Sequence, residues 1–467
     1  MMKGLTGVYT YSGNKSLIHH QIICPKNTHP DFLSTEDKKD VHSSYKTQNM
    51  PASFQKDLQY YKFCAYGFLK NLDFFDPFLL LFFMSKGFSF LEIGTLYAIR
   101  EITINIFEIP TGMLADVMGR RRTLASSFVF YIISFILFFF SGTYLAFIIA
   151  ILFYACGEAF RTGVHKAMIF EYLKTKGWQD QKVHYYGHTR SWSQKGSAIS
   201  SLIAAGIVFW TGDLRMIFIF AIIPYFIDFL LILSYPSFLD GQKKYHSLKD
   251  VGGIFAETFR DFIISFKNPL ILRAILTQAV YTGYYKAVKD YLQPVLKTLA
   301  LALPIFLVWK DDQRTAVIIG VVYFLVYLIT SYMAKISGRV ADMFSNLSRP
   351  LNISMVIGLS MGLLSGVFYH YGFLFASVIC YVIIYFVENL RKPMGISAVA
   401  DNLDKDILAT ALSAESQAET LFAAMIAPLI GFCADLFGIG LGLSIATMAV
   451  LILLPLYLAK NKASLIS

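Results

Sequence analysis

Charge is scarce in this sequence: Asp, Glu, Lys and Arg make up 15% of its 467 residues, against about a quarter in soluble globular chains. That shortage excludes a soluble protein of this length, whose surface must be covered by charge. Cysteine is equally thin. The five cysteines (Cys24, Cys64, Cys156, Cys380 and Cys433) show no paired spacing, which excludes a zinc site and a disulfide framework. No Gly-x-x-x-x-Gly-Lys-Ser/Thr is present, so there is no ATP motor of that kind. A Ser-His-Asp pattern, paired metal-ligand histidines and cofactor motifs are also lacking, so no enzyme, metal or cofactor is expected. Residues 1–57 have no apolar h-region and are not a signal peptide. Rich in Lys, Asn, His and Ser, they read as a disordered cytoplasmic tail; a start at or near Met50 is the alternative.

What remains is apolar. Hydrophobic residues make up 56% of the chain and the mean hydropathy is +0.54. Many runs approach or exceed the roughly 18 residues that cross a bilayer, so the chain is expected to be an all-α membrane protein. The net charge of +10 is no nucleic-acid signature, because the basic residues sit in alternate loops, as orientation signals do. Helices are read at about 60–84, 93–116, 124–140, 144–170, 191–210 and 216–233. After a polar stretch at 235–268, amphipathic from about 247 to 266, they resume at about 270–296, 315–333, 352–369, 373–399, 408–433 and 440–458. With the N-terminus inside, the loops after helices 2, 4, 6, 8 and 10 hold Arg120, Arg121, Arg122, Lys174, Lys176, Lys182, Lys243, Lys244, Lys249, Arg339, Arg349 and Lys405. The other side holds Lys86, Arg215, Lys310 and Arg314. Both termini are therefore expected in the cytoplasm. The expected domains are the tail 1–57, a six-helix bundle 58–234, a cytoplasmic loop 235–268 and a second six-helix bundle 269–460.

The halves repeat. Asp73-Phe74-Phe75-Asp76-Pro77 matches Asp290-Tyr291-Leu292-Gln293-Pro294, Gly112-x-x-Ala115-Asp116 matches Gly338-x-x-Ala341-Asp342, and Glu158-x-x-Arg161 matches Glu388-x-x-Arg391. Three weak matches in one order indicate duplication, the pattern of two bundles rocking about a site between them. One loop is more specific. Gly112-Met113-Leu114-Ala115-Asp116-Val117-Met118-Gly119-Arg120-Arg121-Arg122 joins helices 2 and 3. Gly112 lets another helix approach closely, and Asp116 suits a neighbouring helix N-terminus. The pattern resembles the loop between helices 2 and 3 of the major facilitator superfamily of secondary transporters. The resemblance covers about residues 58–460 and implies twelve transmembrane helices in two pseudo-symmetric six-helix bundles. It also implies that Gly112, Asp116, Gly119, Arg120 and Arg121 latch the halves on the cytoplasmic side. Val117 stands where a basic residue is usual, and Ser345 replaces the turn glycine in the second copy.

A charged side chain at mid-membrane costs about 2.5–3.5 kcal/mol on insertion scales. Helices 1, 4, 7 and 10 each carry several, and the resemblance implies that these four line the central cavity. The substrate and proton-coupling candidates are Lys70, Asp73, Asp76, Glu158, Arg161, His165, Lys286, Asp290, Glu388 and Arg391. Glu158 with Arg161 and Glu388 with Arg391 are spaced to pair within a helix, as are Lys70 with Asp73 and Lys286 with Asp290; such pairs either only neutralise each other or exchange partners during transport. His165, one turn past Arg161, suits a proton relay or a structural role. Lys166, Lys289 and Lys392 add cations, hinting at an anionic substrate that the acids nearly balance. The aromatics Tyr66, Phe74, Tyr281, Tyr284, Tyr285 and Tyr291 suit core packing better than an apolar substrate.

The expected function is a proton-coupled secondary transporter of a small solute, either exporting drugs or metabolites or taking up an anionic metabolite or chelate. It is expected as a monomer in the bilayer of a bacterial inner membrane, without a nucleic-acid partner. Arg161-Thr162-Gly163 departs from the Arg-x-x-Gln-Gly of many relatives, and helix 5 lacks the Gly-x-x-x-Gly-Pro of many proton-drug antiporters, having Pro428 on helix 11 instead. A non-transporting receptor of the same fold is the alternative.

Overall fold

The structure is a computed structural model that describes residues 55–241, 269–401 and 405–458. The expected tail up to residue 54, the amphipathic stretch at 247–266, and Lys243, Lys244 and Lys249 lie outside the described residues.

The described chain is all-helical. Helix α1 runs Leu58–Lys70 and resumes as Leu79–Ser85; α2 is Phe90–Met118, α3 Arg120–Phe140, and α4 Tyr144–Arg161 continued by Val164–Thr175. Helices α5 (Lys182–Thr211) and α6 (Met216–Leu233) complete the first bundle. The second comprises α7 (Pro269–Val288, resuming as Leu292–Ala302), α8 (Asp311–Asp342), α9 (Ser348–His370) and α10 (Leu374–Asp401). A single run, Lys405–Ile452, holds α11 and α12, separated at Gly438 with φ 80°.

Seven of these segments are apolar and long enough to cross a membrane by themselves. α1, α2, α5 and α7 fall short because breaks or polar residues interrupt them, and such residues are tolerated where a span is buried against protein.

Local chemistry sets the boundaries. Ser89 and Glu92 form a reciprocal capping box at the start of α2, with Ser89 N–H 2.8 Å from the Glu92 carboxylate. Gly119, at φ 98°, makes the turn that starts α3. The expected continuous helix 1 is broken: the helix ends at Lys70, and a 3₁₀ turn at Asp76–Phe78 precedes its second part. Pro77 cannot donate to the helix ladder and suits the first turn of a new segment, so Lys70 and Asp73, spaced to pair within one helix, do not lie on the same helix. α7 breaks at the corresponding place, in the 3₁₀ turn Lys289–Tyr291. α4 is interrupted at Gly163, φ 76°. The expected basic loop 171–190 shrinks, because α4 runs to Thr175 and α5 starts at Lys182. Gly338, Ala341 and Asp342 sit in helix rather than in a loop.

The aromatics pack as core: Tyr66, Phe74, Tyr281, Tyr284 and Tyr291 are all buried. The bundles meet through α2 against α11 and α5 against α8. A Cβ at Gly94 would lie 2.4 Å from the Ala427 carbonyl oxygen, and one at Gly431 2.2 Å from that of Phe90. A Cβ at Gly320 would lie 2.3 Å from that of Ala205. Gly112 is not a place of close approach: it is exposed, and among the described residues nothing lies within 4 Å of a Cβ built there. The close glycine contact sits five turns earlier on α2, at Gly94.

Gly94→Leu should therefore lower thermal stability by about 1–3 kcal/mol through overpacking against fixed backbone, whereas Gly112→Ala should leave the melting temperature of purified protein within error of the parent.

Candidate functional site

The ionisable groups buried by this packing form three clusters. The first lies inside the first bundle. Glu158 on α4 binds Arg161 Nη2 at 2.5 Å and Lys70 Nζ at 3.4 Å. The Tyr131 hydroxyl donates to Glu158 Oε1 at 2.6 Å and accepts from Arg161 Nε at 3.1 Å. The Lys70 ammonium also sits 5.5 Å over the Tyr131 ring. Lys70, Arg161 and His165 line a cavity of about 210 Å³ between α1, α4 and α5. So the expected Glu158–Arg161 pair forms, but Lys70 turns to Glu158 rather than Asp73. Asp73 has no ion pair among the described residues.

The second cluster bridges the bundles midway. Lys286 on α7 lies 3.6 Å from Glu101 on α2 and 3.7 Å from Glu419 on α11. Arg100 binds Glu101 at 3.0 Å, and Lys392 on α10 reaches Glu419 at 3.8 Å. Glu388 is buried and accepts from the Thr282 hydroxyl at 3.0 Å. Glu415, one turn before Glu419, is buried beside them. Nearby, Asn105 donates to the Gln417 carbonyl at 2.9 Å and Gln417 donates to Glu108 at 3.1 Å, again from α2 to α11. The expected pairing of Lys286 with Asp290 is thereby replaced by one across the bundle interface.

The third cluster closes one end. Lys289 on α7 binds Asp76 on α1 at 2.7 Å and Asp290 at 3.3 Å. Tyr327 on α8 donates to Asp76 at 2.6 Å. Gln293 accepts from Leu80 N–H at 2.9 Å and Leu81 N–H at 3.2 Å, satisfying the restarted turn of α1, and donates to the Asp76 carbonyl at 2.9 Å. At the same end, the Asp435 carboxylate takes the Phe90 and Leu91 N–H groups at 2.8 Å each. This end-on cap of α2 is supplied from the other bundle.

One expected pair does not form, and the bonds of the loop motif are local in this conformation. Arg391 does not pair with Glu388. It is fully buried and donates to the carbonyls of Leu351 and Thr277 at 2.8 Å each, with its guanidinium 4.6 Å over the Tyr281 ring. Its role is to satisfy backbone inside the second bundle. In the loop motif, Gly119, Arg120 and Arg121 dock within their own bundle: Arg121 N–H donates to Asp240 at 2.7 Å, Arg121 Nη1 to the Tyr235 carbonyl at 2.9 Å, and Arg120 lies 3.5 Å from Glu171. Among the described residues, no bond from Gly112, Asp116 or these arginines crosses to the second bundle.

Glu101, Glu415, Glu419 and Asp435 escaped the sequence reading of the site. A signal for the first was present, since Arg100-Glu101 lies mid-way along an apolar helix. The others lie on α11, which the repeat pattern left unmarked.

Against this geometry, similarity to known proteins is consistent. The family model described as Major Facilitator Superfamily matches residues 63–414. An uncharacterized MFS-type transporter, YxaM of Bacillus subtilis (strain 168), is 36% identical over 89 residues, 19% of this chain and 22% of that protein, so the match spans about a fifth of the relative's length. A mutant of the nucleoside transporter NupG has the same fold with TM-score 0.68 at 15% identity, over 86% of this chain and 99% of that one. A POT family transporter crystallised with 5-aminolevulinic acid gives TM-score 0.62 at 15% identity, over 85% and 96%.

Replacing Arg391 by Met should cost stability, about 1–3 kcal/mol for each buried carbonyl left unpaired, seen as a large drop in melting temperature. Arg161→Ala, whose side chain is 30% exposed, should melt close to the parent.

Proposed function

The chain belongs to the major facilitator superfamily, and from that premise we propose that it moves a small charged solute across the membrane by alternating access, driven by protons. It is a multi-pass integral membrane protein and a transporter of that superfamily. The observation that carries the mechanistic reading is the set of ion pairs between bundles, Lys286 with Glu101 and Lys289 with Asp76, at 3.6 and 2.7 Å. Charges that hydrocarbon does not tolerate lie where a gap between rocking bundles would wet them.

The direct bonds between bundles are gathered midway and at the end holding Asp76 and Asp435. Among the described residues, none links α4 to α10. Arg120, Arg121 and Arg122 mark the opposite end as cytoplasmic, so this conformation reads as closed outside and parted inside. Both termini then lie in the cytoplasm, with a bacterial inner membrane as the setting and a monomer as the unit. The central wall offers Lys286 and Lys392 beside Glu388, Glu415 and Glu419. With Arg391 committed to backbone, the wall is less cationic than the sequence suggested, which favours a solute carrying a positive group, alone or beside a negative one, over a simple anion. Glu158 and Arg161 are the coupling pair, because protonating Glu158 frees both Lys70 and Arg161.

A thermal-shift screen of purified protein against charged metabolites, chelates and drugs would supply the solute. In proteoliposomes with a pH gradient, Glu158→Gln and Arg161→Ala should each cut proton-driven accumulation at least about tenfold, an effect of roughly 1.4 kcal/mol. Full coupling in both variants would remove the pair from the mechanism.

A further inference from the structure

Asp228 on α6 is used by none of the three clusters. It is fully buried, and neither carboxylate oxygen has a hydrogen-bond partner among the described residues. The Tyr66 and Tyr225 hydroxyls are likewise buried without a hydrogen-bond partner within bonding geometry among the described residues. An ionised carboxylate with no donor and no cation in contact is far costlier to bury than the neutral acid.

One cation stands on the far side of the Tyr225 ring. Lys70 is the charged group that acts on Asp228. Its ammonium lies 3.4 Å from Glu158 on one side and 5.7 Å from the Tyr225 ring centre on the other. Tyr225 is one helical turn before Asp228 on α6, so Lys70 is held between two carboxyls on different helices and is bonded to the one that already has Arg161. Tyr66 and Lys70 on α1 and Tyr235, just past the end of α6, interact electrostatically with Asp228, and Tyr225 lies one turn before it on α6. Beyond them on α4 lie Glu158, Arg161 and His165. Among the described residues no charged group of α3 or α5 acts on it. His165 stacks on Tyr66 at 3.6 Å and its Nε2 is 3.4 Å from the Tyr235 hydroxyl. Both tyrosines are close enough to Asp228 to feel its charge.

We propose that Asp228 is a proton-carrying site of this transporter, neutral while Lys70 is bound to Glu158 and ionised when Lys70 crosses Tyr225 to it. In that step the carboxylic O–H bond breaks, and the proton passes by way of the tyrosine hydroxyls and His165 to water in the 210 Å³ cavity that Tyr66, Lys70 and His165 line. The carboxylate left behind takes the Lys70 ammonium as its counter-ion, and Glu158 retains Arg161. Charge is conserved inside the bundle apart from the proton released. The proposal rests on the proton-coupled reading above and adds a second carboxyl to it.

Infrared difference spectroscopy on the purified full-length protein tests it without a transported solute, using water and D₂O as the probe. The wild type minus Asp228→Asn difference should contain the C=O band of a protonated carboxylic acid at neutral pH, shifted by deuterium exchange. That band should be lost in Glu158→Gln, where Asp228 is the carboxylate left for Lys70. Asp228→Asn is the isostere of the neutral acid and should melt with the wild type. No Asp228-specific acid band, or a large loss of melting temperature in Asp228→Asn, would overturn the proposal. A band that persists unchanged in Glu158→Gln would overturn the exchange of Lys70. Because the readout is independent of flux, an acid band without proton-driven transport would refute the coupled reading and leave the protonation of Asp228 standing. Proton-driven transport without the band would do the reverse.

Discussion

Hydrocarbon cannot solvate a charge, and nearly every feature of this molecule answers to that constraint. The chain buries ionisable groups on α1, α2, α4, α6, α7, α10 and α11, and each must find a counter-charge, a backbone carbonyl or a proton. Where the partner lies on the other bundle, electrostatic necessity becomes architecture. Lys286 ties α7 to α2 and α11, and Lys289 ties α7 to α1. No hydrophobic force drives helices together in lipid, so these polar contacts and the close backbone approaches at Gly94, Gly320 and Gly431 hold the bundles in register.

Helix breaks serve the same end. A helix passing uninterrupted through the bilayer has all its backbone satisfied and offers nothing to a partner. Where α1 stops at Lys70 and restarts at Leu79, free N–H groups appear, and Gln293 from the opposite bundle accepts two of them. Asp435 does the same for the first turn of α2. These bonds join the bundles at one end only and are made to helix termini, so opening that end would expose the N–H groups to water instead of stranding them in lipid. The seal is therefore stable when closed and tolerable when open.

The fold was legible from composition, from runs of apolar residues and from the internal repeat, because bilayer thickness imposes a length that local sequence reveals. Helix breaks were not legible: helices 1 and 4 read as continuous although Pro77 and Gly163 stand at their breaks, and the 3₁₀ turn at Lys289–Tyr291 lacks a breaker of its own. The site was legible as a set of residues and illegible as a set of pairs. Spacing of three or four residues suggested four pairs within helices, yet only Glu158 with Arg161 forms, because Lys70, Lys286 and Arg391 find better partners on neighbouring helices. Sequence also could not separate Arg391 from Arg161, which occupy equivalent places in the repeat. What separates them is whether the guanidinium meets a carboxylate in a cavity or carbonyls in a core. Asp228 left no periodic signal, being a lone acid in an otherwise apolar helix.

The difference between those two arginines leads to a criterion for which charges move. Arg391 has its own carbonyl acceptors, at 2.8 Å, in one bundle, and any displacement leaves them unpaired. Other ions share. Glu158 is divided between Arg161 and Lys70, Lys289 between Asp76 and Asp290, Lys286 between Glu101 and Glu419, and Glu419 between Lys286 and Lys392. A shared ion loses only part of its stabilisation when one partner leaves, because the other stays. The cost of exchange is thus divided into steps, each smaller than breaking an exclusive buried pair. Within each cluster, sharing lets the loss of one partner be answered by the ion beside it.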